Sequence, residues 1–333
     1  MAISIAPYRM RGGHAALDRS GRNRRRDFVT LHSQDTALKH WRDRIDAELS
    51  RLIPPDTAVP VRLHQSMRHS LLAPGKRVRP LLAILAADHW GGPAETALAP
   101  ACALEMVHAA SLILDDLPAM DDSALRRGRP ANHRIYGEGT AILAAIGLMN
   151  RAFGVAADAP DLDARARSAA VAILSRAIGS EGLVAGQEQD LHDAAELTSP
   201  QAVEAMHGRK TGALFAAAGE IGAVVAGCGA AECRDAHEFG YKLGVAFQTF
   251  DDLVDRHASQ DAALKDVGKD AGKPTLISLA GSHRALERAQ QLLAEALSHA
   301  TAARQGSALE VFVRDLSAGF LDRLPEMDRY GVA

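Results

Sequence analysis

A chain of 333 residues with 47% apolar residues, 4% aromatic residues and a net charge of −3 can bury a large core but has no bulk charge to hold nucleic acid. Cys102, Cys228 and Cys233 form no CxxC pair and no metal-ligand spacing, which removes zinc modules and a disulfide framework and leaves small buried residues in a reducing, cytoplasmic setting. With so few aromatics, the core must be built largely from Ala and Leu, residues of close-packed helices rather than sheets.

The first 33 residues are rich in arginine (Arg9, Arg11, Arg19, Arg22, Arg24, Arg25, Arg26) and lack the apolar run of a secretory signal. They read as a disordered extension, with an organellar transit peptide as the alternative. From residue 34 to 333 the pattern is helical almost throughout. The predicted helices are Ala37–Leu52, Val61–Leu72, Pro80–Asp88, Glu95–Asp115, Gly139–Phe153, Asp163–Ala177, Gln201–Val225, Ala230–Asp255, Thr275–Ala300 and Ser307–Leu324. Breaks fall at Pro54-Pro55, Pro74-Gly75, Gly91-Gly92-Pro93, Gly128 to Pro130, Ala159-Pro160 and Ser199-Pro200, and no alternating strand pattern occurs. The stretch from Ala213 to Ala231 is apolar enough to weigh as a membrane span, but Glu220 and its small residues make it a core helix, so no transmembrane segment is expected. The expected fold is all-α, one large helical bundle without internal repeats or linkers.

Several short motifs punctuate these helices. Gly75-Lys76-Arg77-Val78-Arg79-Pro80 packs three cations into the turn before an apolar helix. Asp115-Asp116-Leu117-Pro118-Ala119-Met120-Asp121-Asp122 follows the apolar run Ala101–Leu114, and Pro118 ends that helix. The aspartates therefore sit at a helix C-terminus, where the dipole already presents negative charge. Carboxylates crowded at a buried helix end repel one another and lose hydration, and a divalent cation removes both penalties; magnesium, with substrate phosphates completing its shell, suits such oxygens. The bland reading is a solvated acidic turn. Arg126-Arg127-Gly128-Arg129-Pro130 comes next, and Lys210-Thr211 lies inside a helical run. A second acidic cluster, Asp251-Asp252 with Asp255, again closes an apolar helix, with Asp251 and Asp255 on one face. Lys265 to Lys273 follows it. Of the seven lysines, Lys76, Lys210, Lys265, Lys269 and Lys273 fall inside these motifs, leaving only Lys39 and Lys242 elsewhere. Lysine is a compact charge suited to one phosphate oxygen. Two acidic clusters interleaved with such cations point to a cavity that grips diphosphates, and no GxxxxGK[ST] or GxGxxG loop supports a nucleotide fold.

These residues carry a family resemblance. From about Leu63 to about Thr275 the chain resembles the trans-isoprenyl diphosphate synthases, and among them the bacterial geranylgeranyl diphosphate synthases of carotenoid pathways. The most specific stretch runs from Val107-His108-Ala109-Ala110-Ser111 through the first Asp cluster to Pro130, and Gly186-Gln187-Glu188-Gln189-Asp190 is similar to the family's GQxxD motif. The resemblance implies the class I isoprenoid synthase architecture, a helical bundle around a central cavity, and a homodimer. It implies three magnesium ions held by Asp115, Asp121 and Asp251, with Asp116, Asp122, Asp252 and Asp255 in support. Isopentenyl diphosphate would be bound by Lys76, Arg77, Arg79, His108 and Arg127, and the allylic diphosphate by Arg126, Lys210, Lys265 and Lys273.

The implied reaction is condensation of the two diphosphates. Lys210, through its backbone carbonyl, and the side chains of Thr211 and Gln248 would face the allylic cation. Four and five positions before Asp115, roughly 6–7.5 Å down the axis, stand Ser111 and Ala110. Where the family stops at farnesyl, one of these is a bulky aromatic; small residues imply a twenty-carbon product, with Leu148, Met149 or Phe153 as candidates for the tunnel floor. Ala145-Ile146 departs from a common Gly-Asp, and Pro74 from a commoner glycine. Three rival readings are a terpene cyclase, a non-catalytic partner subunit and a calcium-binding scaffold. The GKRxRP turn and second DDxxD stand against the first, two intact Asp clusters against the second, and the lysine placement against the third.

Overall fold

The computed structural model describes residues 24–193, 195–257, 274–301 and 304–324, with side chains from residue 36. In chain order α1 spans Arg24–Leu52, α2 Val61–Leu71 and α3 Val78–His89, and a 3-10 turn at Ala94–Ala97 leads into α4, Leu98–Asp115. A hairpin pairs β1 (Leu125–Arg126) with β2 (Arg129–Pro130), followed by α5 (Asn132–Tyr136), α6 (Glu138–Ala157), α7 (Ala164–Ile178) and α8 (Leu183–His192). Then come α9 (Pro200–His207), a π-helical turn (Gly208–Gly212), α10 (Ala213–Val225), α11 (Ala230–His257), α12 (Leu276–Ala280), α13 (Ser282–Thr301) and α14 (Ala308–Leu321).

The helix boundaries follow from the chain's own chemistry. Asp163 caps α7 by accepting the Ala166 N–H at 2.7 Å, and Ser199 caps α9 with Pro200 in its first turn. Thr275 and Ser278 form a reciprocal capping box on α12. Four features depart from the sequence reading. The stretch between residues 178 and 200 contains α8, whose glycine and polar residues mask its periodicity. The run 201–225 is α9 and α10 joined through a π turn, and 275–300 is broken at Gly281, where φ is 86°. A two-residue ladder is present where no strand was expected, because Arg127 and Gly128 both take positive φ and turn the chain back.

α4 runs through the interior: Ala101, Cys102, Ala103, Leu104, Met106, Val107 and Ala110 are fully buried. It packs along α6, whose Ala141, Ala144, Ala145, Leu148 and Ala152 are equally buried. α10 lies between α3 and α11, and Gly222 sets the approach: a Cβ there would lie 2.5 Å from Ala86 Cβ and 2.8 Å from Ala83 O. A second cluster, with Val203, Phe250, Leu253, Leu276, Leu286 and Phe320, joins α9, α11, α12, α13 and α14. His89 fastens the end of α3 to this layer, with Nε2 at 2.9 Å from Ala300 O and Nδ1 at 2.8 Å from Ser307 Oγ.

By length and composition alone, Ala94–Asp115, Glu138–Ala157 and Ala164–His192 could cross a membrane, though the first has 72% of its apolar window inside the bundle. The Ala213–Ala231 stretch folds as core helix α10, as the sequence predicts. Gly222→Ala is expected to lower stability by about 1–3 kcal/mol, because backbone rather than a flexible side chain meets the new methyl. Chemical denaturation tests this against Gly139→Ala, whose Cβ meets nothing within 4 Å and whose stability should hold or rise slightly.

Candidate active site

The C-terminal carbonyls of α4 have no helical partners, and the loop beyond it supplies them. Asp121 N–H donates to Asp115 O at 2.9 Å, Asp122 N–H to Leu117 O at 3.0 Å and Ser123 N–H to Asp116 O at 3.1 Å. This fold-back returns Asp121 to the side of Asp115. Burial pushes the Asp115 carboxyl up to about 6, Lys210 pulls it down, and Asp121 and Asp116 push it up further. Asp116 is 2% exposed; burial raises its pKa, while it accepts two bonds from Arg126, Nε at 2.8 Å and Nη2 at 2.5 Å. Asp122 leaves the group: it is exposed, with φ of 43°, and pairs with Arg134 at 3.1 Å. This corrects the expectation that four carboxylates of the first cluster act together.

Among the described residues, no three carboxylate, imidazole or thiol groups are assembled into a ready-made metal site. The chemistry of the donors nevertheless suits a hard divalent cation, because Asp115 is held protonatable by burial and by neighbouring carboxylates whose repulsion a cation would cancel. Phosphate oxygens would have to complete the shell.

The π turn forms the next wall. Gly186 in α8 lets that helix lie against it, since a Cβ at this position would collide with the backbone of Lys210. Asp190 then holds the Lys210 ammonium at 2.6 Å, and Gln189 accepts from Arg209 at 2.8 Å. The GQxxD motif thus acts as a brace for Lys210. Thr211, 6% exposed, donates from Oγ1 to Gln248 Oε1 at 2.8 Å, and Gln248 Nε2 donates to Asp252 Oδ1 at 2.9 Å. Asp252 Oδ2 faces His207 Nε2 at 3.5 Å, and burial takes the His207 pKa down to about 4. A separate cavity of about 310 Å³ lies against this turn, lined by Ile173, Arg209, Ala217 and Tyr241, with none of the aspartates of the two clusters in its lining.

A cluster of cations gathers near Glu105. Arg77 departs from expectation: it is 3% exposed and turned inward, donating to Asp46 and Glu105 at 2.7 Å each and to Ala73 O at 3.0 Å. Its left-handed backbone (φ 51°) at the head of α3 makes this inward turn, so Arg77 is an anchor rather than a diphosphate ligand. Lys76, Arg79, His108 and Arg127 remain. Burial lowers the Arg79 guanidinium to about 10, against the pull of Glu105, and its Nε is buried without a hydrogen-bond partner. Arg79 also lies 4.8 Å over the Phe215 ring. Burial drives His108 well below its ordinary value and Arg79 and Arg127 push it further, leaving a neutral imidazole at pH 7. Burial lowers Lys76 and Arg127 as well. Cations so desolvated that each loses basicity mark a place for an anion.

The second acidic cluster joins these cations, since Asp251 attracts both Lys76 and Arg79. The end of α14 and the turn after it add Phe320 and Arg323, which the sequence reading does not include. Phe320 meets Phe247 edge-on at 4.9 Å and stacks on Phe250 at 5.7 Å; Lys76 and Arg323 lie 5.7 and 4.9 Å over its ring. Arg323 is drawn toward Asp251 and Asp255. The i, i+3 spacing of Phe320 and Arg323 was the available signal. Lys265 and Lys273 lie outside the described residues.

The chain-length positions are more closed than expected. Ala110 is fully buried and Ser111 is 8% exposed, with Oγ donating back to His108 O at 3.0 Å. The half-buried side chains before Asp115 are His108, Leu112 and Leu114. Leu148 is fully buried, and Met149 and Phe153 are half-buried on the side of α6 that carries Ile142 and Ile146.

This all-α bundle is the isoprenoid synthase fold, as solved structures show. An FPP/GFPP synthase from Zymomonas mobilis superposes with a TM-score of 0.74 at 29% identity, covering 90% of this chain and 99% of that one. A Helicobacter pylori geranyltransferase complexed with magnesium and isoprenyl diphosphate gives 0.76 at 27% identity, covering 86% and 97%. The polyprenyl synthetase profile matches residues 60–312. Geranylgeranyl diphosphate synthases from Pantoea ananas (45% identical; 81% of this chain, 89% of the relative) and Pseudescherichia vulneris (42%; 83% and 90%) are similar along most of their length. The chain belongs to the polyprenyl synthetase family.

Replacing Arg77 by Met takes away the 2.7 Å partner of Glu105 and leaves the longer approach of Arg127 at 4.0 Å, so stability should fall by about 3 kcal/mol in denaturant titration. Lys76→Met should leave the unfolding midpoint in place and weaken binding of inorganic diphosphate, measured by calorimetry.

Proposed function

We propose that this chain is a geranylgeranyl diphosphate synthase, condensing isopentenyl diphosphate with dimethylallyl, geranyl or farnesyl diphosphate in bacterial isoprenoid, and specifically carotenoid, synthesis. The observation that carries this reading is that two acidic helix ends each gather cations: Asp115 and Asp116 at the end of α4 attract Arg126 and Lys210, and Asp251 near the end of α11 attracts Lys76 and Arg79, cations lowered by burial. The 45% identity to the Pantoea ananas synthase supports the twenty-carbon assignment.

Magnesium, three ions in this reading, held by Asp115, Asp121 and Asp251, would neutralise the allylic diphosphate and aid its departure. Arg126 and Lys210 flank that diphosphate, and Lys265 and Lys273 are proposed to join them. Lys76, Arg79, His108 and Arg127 orient isopentenyl diphosphate; His108, neutral at pH 7, serves as a hydrogen-bond donor. The allylic carbon–oxygen bond breaks with its electron pair leaving on the diphosphate. The isopentenyl double bond attacks the allylic cation, forming the new carbon–carbon bond, and the departed diphosphate takes the proton lost from the adjacent carbon. The Lys210 carbonyl, Thr211 and Gln248 surround the cation with oxygen. The chain grows along α4, where Leu112 and Leu114 are half-buried and the small Ala110 and Ser111 offer room once side chains part.

The protein is read as a cytoplasmic homodimer. Ile142, Leu143 and Ile146, 40%, 58% and 58% exposed, run into Met149 and Phe153 as one apolar stripe on α6, which a second copy would cover.

Product analysis with magnesium, isopentenyl diphosphate and farnesyl diphosphate should give geranylgeranyl diphosphate as the end product. Longer products would overturn the chain-length assignment, and absence of condensation by folded, metal-loaded protein would overturn the enzyme. Because Asp115 titrates near 6 and only its ionised form attracts a cation, magnesium-dependent binding of diphosphate should weaken by up to tenfold per pH unit below about 6. Calorimetry between pH 5 and 8 measures this; a flat profile would contradict the role of Asp115.

A further inference from the structure

Gln248 makes its two side-chain contacts with groups of different character. Thr211 Oγ1 lies 2.8 Å from Oε1, and Asp252 Oδ1 lies 2.9 Å from Nε2. A threonine hydroxyl can donate or accept, so it would satisfy either end of the amide. An ionised carboxylate accepts only. Were the amide rotated by half a turn, Oε1 would face Asp252 Oδ1, two acceptors at hydrogen-bond distance, and the amide hydrogens would face Thr211. Asp252 therefore decides which end of Gln248 points toward Thr211. The two residues are four apart on α11 and share a helix face, so the contact is built into the helix itself.

We propose that Asp252 is a positioning residue for Gln248: it holds the amide so that its oxygen, the negative end of the dipole, is turned to the side of the site where the allylic cation forms. This rests on the reaction proposed above and separates Asp252 from Asp251, which faces Lys76 and Arg79. The other carboxylate oxygen of Asp252 is 3.5 Å from Nε2 of His207, which is 5% exposed and lies four residues before Thr211. The end of α9, the last turns of α11 and the π turn thus meet here, with His207 beside Asp252 and Asp252 bonded to Gln248, which accepts from Thr211. The positioning matters because an oxygen beside a cation stabilises it, whereas an amide N–H₂ in the same place repels it, with no change in shape.

The test is a double-mutant cycle on condensation rate with Asp252→Asn, Gln248→Met and the pair, each with a magnesium titration and a thermal melt. Asn is isosteric with Asp but can present donor or acceptor, so it frees the amide to turn over. The expected result is a kcat loss of about 10–100-fold for Asp252→Asn, the scale of a lost outer-shell partner, with the half-saturating magnesium concentration and allylic KM unchanged. In the Gln248→Met background the same substitution should cost nothing further. An Asp252→Asn enzyme that needs more magnesium, or a loss that multiplies fully onto Gln248→Met, would make Asp252 a metal ligand and overturn the proposal. A wild-type chain that condenses nothing overturns the proposed reaction and this inference together, whereas an active wild type with multiplicative losses overturns only the inference.

Discussion

Glu105 lies in the middle of α4 at 2% exposure, surrounded by apolar side chains, where a lone carboxylate would be costly. Arg77 meets it at 2.7 Å and Arg127 at 4.0 Å, and the cluster of cations is organised around this buried anion. Arg77 also reaches Asp46 on α1, so the GKRxRP turn is held between two helices. With Arg77 committed inward, its neighbours Lys76 and Arg79 are left for the cavity. Arg127 arrives from the β1–β2 hairpin, which Asn132 anchors: its side chain exchanges bonds with Ser66 and Ser70 on α2 at 2.7–2.9 Å. One internal acid thus helps fix where several of these cations stand.

The first acidic cluster follows a different rule. α4 delivers its aspartates at its C-terminus, where the helix dipole opposes them. The fold-back of the 116–124 loop and the burial of Asp115 hold that opposition in place rather than relieving it. The π turn carries Lys210, paired with Asp190, and Thr211, bonded to Gln248. A π turn is an irregularity that helices keep where function needs a side chain re-aimed. Here Gly186 lets α8 close on it and Asp190 holds its lysine, so Lys210 and Thr211 are placed by one short segment.

The helices, their ends and the two acidic clusters could be read from residue pattern, because Pro118, Ser199, Gly91 and the apolar periodicity act locally. The cation positions were readable for the same reason, since lysine and arginine fell in short punctuating turns. What could not be read was direction. Arg77 and Arg79 differ by two positions in one motif, yet one pairs with Asp46 and Glu105 while the other lies over Phe215 with its Nε lacking a hydrogen-bond partner, a difference set by the left-handed backbone at Arg77 and by the distant acids. Asp122 left its cluster for Arg134 through a positive φ that the sequence does not announce. Phe320, on a helix seventy residues past Phe250, and Arg323, in the turn after it, enter only through tertiary packing. At Ala110, small size was legible as available room, whereas the structure spends it on close packing within the core.

The central claim is that the site binds diphosphate at two places by different physics, one with its own cations and one through a divalent cation. Calorimetric titration of the protein with inorganic diphosphate, first in chelator and then in magnesium, tests it directly. The account predicts one site in chelator, abolished by Lys76→Met, and a second that appears only with magnesium and disappears with Asp115→Asn. Two equivalent sites without metal, or a single site unaffected by either substitution, would contradict it.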